Sequence, residues 1–93
     1  MFNEKQQELV DRINRNFEIL MQSRSGVLPI DVLDSYKRDI TLLCSRNFAP
    51  EVLNLAMDIM FKIADARERR DCVSYALLQV HTYECFRVRP DSE

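Results

Sequence analysis

Apolar side chains recur at helical spacing in the N-terminal part of the chain. Val10, Ile13, Phe17 and Leu20 lie three or four residues apart, with Leu9 and Met21 beside them and polar residues elsewhere. That period puts one narrow apolar seam on a well-solvated helix. It predicts a helix near residues 3–23, with Asn3 capping free amides of the first turn and Gln6 reaching back to Asn3. A second seam of Leu33, Tyr36, Ile40 and Leu43, flanked by Val32 and Cys44, predicts a helix near 30–46. Pro29 suits its first turn, where a missing N–H costs nothing, and Asp31 and Asp34 favour its N-terminal end.

The pattern changes after Pro50, which opens a third helix near 50–66. Its polar positions, Glu51, Asn54, Asp58, Lys62 and Asp65, form a single thin stripe. Apolar residues cover the remaining roughly 240° of its circumference, more than a surface helix needs. One flank carries Val52, Ala56, Ile59 and Ile63. The other carries Leu53, Met57, Met60 and Ala64, with Phe61 at its margin. Two placements fit this pattern. In one, the helix is central and sheathed on both sides by its neighbours. In the other, the Ile flank faces the core and the Met and Phe flank stays free. The narrow seam of the first helix can cover only one stripe, which favours the second placement.

The stretch Asp65-Ala-Arg-Glu-Arg-Arg-Asp71 is polar and reads as a turn, with Asp71 capping a fourth helix near 71–87. This helix is also broadly apolar, through Val73, Tyr75, Ala76, Leu77, Leu78, Val80, Tyr83, Cys85 and Phe86. Pro90 ends it, leaving residues 89–93 as a polar tail. No Gly or Pro separates the third and fourth segments, so one long helix is the competing reading. Such a helix would need a partner to bury its far end. The two Pro-led segments share helix-start chemistry without making a repeat.

Composition narrows the fold class. The 93 residues include one Gly and three Pro, too few turn formers for a sandwich or barrel. A single all-α domain over 1–93 follows: a four-helix bundle, expected antiparallel because its connections are short. Charges nearly cancel, at 13 basic and 15 acidic side chains. Residues 1–46 carry seven of each sign, and residues 47–93 carry eight acids and six bases. Neither half is basic enough to hold a phosphate backbone by bulk electrostatics.

Candidate chemistry adds little. His81 and Cys85 lie four apart on one helix face, half of a zinc site, but no local pair of cysteines accompanies them. Cys44, Cys72 and Cys85 are an odd number of thiols in apolar surroundings and read as small hydrophobes in a reducing compartment. A phosphate-binding loop needs several glycines, and one histidine offers little for nucleophilic catalysis. The expectation is therefore no enzyme, no cofactor and no metal. The start Met-Phe-Asn-Glu-Lys is neither a signal peptide nor a myristoylation site, and no apolar run reaches a membrane span. The cytoplasm, or the nucleus, is the expected location.

The surplus of apolar surface is what remains to be explained. It points to a small non-enzymatic interaction module (adaptor, regulator or chaperone-like subunit) that packs helices against itself or a partner protein. The expected interface comprises Leu53, Met57, Met60, Phe61, Tyr83 and Phe86, since aromatics and flexible Met side chains suit adaptable contacts. The alternative is a helical nucleic-acid-binding regulator that uses the turn from Arg67 to Arg70. Asp65, Glu68 and Asp71 offset those arginines nearly one for one.

Overall fold

A computed structural model of the chain describes residues 2–22, 28–46, 50–70 and 73–87, the side chains of residues 45 and 46 excepted. The described residues form four helices: α1 (Glu4–Met21), α2 (Ile30–Arg46), α3 (Pro50–Arg69) and α4 (Val73–Arg87). No strand occurs among the described residues. The end of the first predicted helix at Ser23, the connection holding Gly26, the Asp71 cap and the 89–93 tail lie outside them.

The start of α1 follows from its capping chemistry. The Asn3 side chain accepts a hydrogen bond from the Gln6 backbone N–H at 2.8 Å. The Gln6 side chain accepts one from the Asn3 N–H at 3.0 Å. Two otherwise unpaired amides are thus satisfied reciprocally. Pro29 sits one residue ahead of α2 rather than in its first turn. Its carbonyl accepts from the Leu33 N–H at 2.9 Å. Pro50 is the first helical residue of α3, where its missing N–H has no partner to lose. α3 runs a turn past the expected end. Arg69 pairs with Asp65 at 3.0 Å, one turn back, and the Arg70 N–H still reaches the Ala66 carbonyl at 2.8 Å. The arginines expected in a turn are therefore helical up to Arg69, where cations complement the negative end of the helix dipole. α3 and α4 are separate helices packed on each other, so the reading as one long helix does not hold.

α1 packs on α2, α3 packs on α4, and α2 packs on α4. The seam of α1 is buried as its period requires, with Val10, Ile13, Phe17 and Leu20 inside. Tyr36, Ile40 and Leu43 answer from α2, Val52, Ile59 and Ile63 from α3, and Leu78, Cys85 and Phe86 from α4. Burying one such aliphatic side chain contributes about 1.5–3 kcal/mol.

Polar contacts fix how the helices meet. Arg12 of α1 donates two hydrogen bonds, at 2.8 and 3.2 Å, to the buried carboxylate of Asp39 on α2. A buried carboxylate without a partner is costly, so this fork favours the arrangement of α1 on α2 in which the two side chains meet. Five residues further along α1, Phe17 stacks on Tyr36 with ring centroids 6.4 Å apart. The Tyr36 hydroxyl lies 2.6 Å from Oγ1 of Thr82 on α4, and both residues are fully buried. Tyr75 of α4 donates to the Met21 carbonyl at 3.2 Å, satisfying one acceptor that the end of α1 leaves open.

The Tyr36–Thr82 contact is directly testable. Tyr36→Phe and Thr82→Val should each lower unfolding free energy by about 1–3 kcal/mol, because each strands a buried hydroxyl. The double variant should lose clearly less than the sum of the two. Strict additivity in urea titrations would show that the hydroxyls do not interact.

Candidate functional site

The two flanks of α3 separate in the structure. Val52, Ile59 and Ile63 point into the core, and Ala56 is half-buried beside them. On the other flank Leu53 is 48% exposed, Met57 58% and Phe61 70%. Ala64 is also exposed, and Met60 is half-buried. Tyr83 on α4 is 57% exposed. Phe86 departs from expectation: at 8% exposure it belongs to the core cluster and is not part of this surface. The helical period gives the reason. Phe86 lies one turn beyond Thr82 and two beyond Leu78, both buried, so it shares their inward face.

Three residues that the sequence did not single out complete the surface. Val73, Leu77 and Val80 are 64%, 43% and 54% exposed. They follow one another at helical spacing on the face of α4 turned from the core. The exposed apolar residues therefore extend over two neighbouring helices.

The seam between these helices is grooved. A hollow of about 280 Å³ is lined by Met57, Met60, Phe61, Ala64 and Gln79. Another of about 330 Å³ is lined by Met60, Gln79, Val80, Tyr83, Glu84 and Arg87. Met60 and Gln79 belong to both, so the hollows are neighbours along one groove. The Gln79 side chain is held in place by Arg67, whose guanidinium donates to its amide oxygen at 2.7 Å. A polar, oriented amide thus sits at the middle of an apolar furrow.

The arginine cluster is largely engaged within the fold. Arg67 is bound to Gln79 and Arg69 to Asp65. Asp58 and Lys62, two turns earlier, form the same kind of pair at 3.2 Å. These exposed pairs neutralise the outer margin of α3 and contribute little stability individually.

Elsewhere the chemistry is muted. Cys44 and Cys85 are free, buried thiols. Burial pushes Cys44 up to about 11. Burial also raises Cys85, against the opposing pull of Lys37 and of a hydrogen bond with Thr41. A nucleophilic thiol needs the reverse shift and access to substrate. His81 is half-buried, and its Nδ1 has no hydrogen-bond partner among the described residues. Among those residues no group of three or more His, Cys, Asp or Glu is placed to hold a metal ion, and no helix is long and apolar enough to cross a membrane. A larger hollow of about 540 Å³ lies between the start of α1 and the end of α2. Lys5, Glu8 and Gln6 share its wall with Leu9, Leu42 and Leu43, a mixed lining without a dominant charge or an apolar face. The α3–α4 face is the more distinctive surface.

No family model matches the chain, and neither the curated proteins nor the solved structures yield a match.

The cysteine environment generates a prediction with a definite sign. In the unfolded chain Cys44 ionises near its ordinary value of 9.0, whereas in the fold it does so only near 11. The stability this contributes is complete below pH 9 and is lost as pH rises towards 11. Thermal midpoints should therefore fall more steeply over that range in the wild type than in Cys44→Ala. Tyr36, raised by burial above its ordinary value of 10.0, adds a decline common to both proteins. Equal slopes in the two would remove the Cys44 contribution.

Proposed function

We propose that this chain is a non-enzymatic protein-interaction module, a small adaptor, regulator or chaperone-like subunit, that binds through the exposed face of α3 and α4. One observation carries the reading. Seven large apolar side chains on these two helices are 43–70% exposed, and four of them, Met57, Phe61, Val80 and Tyr83, line a shared groove. Single exposed apolar residues are ordinary on a protein surface, but large contiguous patches of them usually mark contact with another molecule. The type of residue supports a protein partner. Aromatic rings and Met are enriched at the centres of such interfaces, and charge is scarce there. The unpaired thiols of Cys44 and Cys85 support a reducing, intracellular setting, cytoplasmic or nuclear.

The proposal is testable by capture. Immobilised chain should retain a polypeptide, either another copy or a different protein, with little dependence on salt. Met57→Lys combined with Met60→Lys should abolish retention while leaving helix content unchanged, because the introduced charges would have to be buried on binding. Ile30→Glu is the control, since Ile30 is 70% exposed and belongs to α2, not to α3 or α4. Retention that survives the double variant would count against the reading. Retention of a nucleic acid that is lost with modest salt and depends on Arg67, Arg69 and Arg70 would point instead to a nucleic-acid binder.

A further inference from the structure

We infer that the α3–α4 face is occupied by a second copy of this chain, making the protein a homodimer related by a two-fold axis. This rests on the interaction reading above and names its occupant. The first argument is area. At their observed exposures the seven apolar side chains present on the order of 800 Å², close to what one partner contributes to a standard-size interface. Much of a dimer interface is thus already present on one protomer, without help from any other element.

The second argument is charge. A face shaped for a strongly charged partner carries the opposite sign around its rim. Here Asp58 with Lys62 and Asp65 with Arg69 neutralise one margin, and Glu84 and Arg87 stand together at the α4 end of the groove. In a two-fold dimer each surface meets itself, so a rim of one sign would repel its copy. A balanced rim is the condition under which self-association proceeds.

The third argument is relief. Phe61 stands 70% exposed at the edge of the hollow of about 280 Å³, and the neighbouring hollow of about 330 Å³ continues the groove past Met60 and Gln79. Such volumes lie at the small end of ligand pockets and suit one or two inserted side chains. Projection and recess occur on the same face, so a two-fold axis lets each protomer supply the ring that fills its partner's groove.

Sedimentation velocity on the full chain at micromolar concentration tests this. The wild type should sediment at twice the 11.0 kDa chain mass. Phe61→Glu on α3 and Val80→Glu on α4 should each raise the dimer dissociation constant at least about 30-fold, the range for an interface hot spot. Ile30→Glu should leave it unchanged, and circular dichroism should report the same helix content throughout. Dilution of the wild type followed by NMR gives a readout free of substitutions: resonances that shift should map to α3 and α4. A wild type that stays at the single-chain mass overturns the dimer. So does a dimer that both variants leave intact, or one whose dilution shifts map elsewhere. If a monomeric wild type still retains a different protein in a manner that depends on Phe61, the dimer falls and the interaction reading stands. If no retention depends on Phe61, Val80 or the methionines, both fall.

Discussion

The fold depends on the place where α2 meets α4. α1 has α2 for its main neighbour and α3 has α4, so the two helical pairs are joined chiefly through this contact. Tyr36 occupies it. Its ring stacks on Phe17 of α1, and its hydroxyl meets Thr82 of α4, with no part of the residue in solvent. One side chain thus touches three of the four helices' packing, and its polar tip is admitted to the core only because Thr82 answers it. The Tyr75 hydrogen bond to the end of α1 is a second, more peripheral tie between the same pairs.

That joint explains why the apolar surplus lies where it does. α4 turns Ser74, Leu78, Thr82, Cys85 and Phe86 inward, and α3 reaches the core through Val52, Ile59, Ile63 and Ala66. The remaining apolar flanks of both helices then share the opposite side. The α1–α2 pair cannot cover them, because its own narrow seams are already spent on the core. Exposure of Phe61 and Val80 is therefore a property of the arrangement, and not of one misplaced side chain. Arg67 and Gln79 add order to that side by pinning an amide in the furrow between the helices.

Helices α1 and α2 were the most legible parts of the sequence. Each carries one seam at a clean period, and the four α1 seam residues are all buried. The cap at Asn3 was readable from two residues. Asp39 was not: a carboxylate beside an apolar seam reads as solvated, and only Arg12, arriving from another helix, makes its burial tolerable. α3 gave its inward face correctly because its polar stripe marks the phase. Its length was underestimated, since an Arg-rich run resembles a turn until the Asp65–Arg69 pairing is seen. α4 was the hardest to phase. Apolar residues surround it, and two inward positions are the hydroxyl residues Ser74 and Thr82, which reading by hydrophobicity assigns to the surface. Hydrophobicity alone therefore does not distinguish the inward Phe86 from the outward Val73, Leu77 and Val80 on this helix.

The Tyr36–Thr82 contact has a further consequence during synthesis. Its two residues are 46 positions apart in the chain. At roughly 5–20 residues per second, about 2–9 s separate the addition of one from the addition of the other. Until Thr82 has been added, the chain holds no partner for the Tyr36 hydroxyl at this site, so the core cannot close around the ring without stranding a polar group.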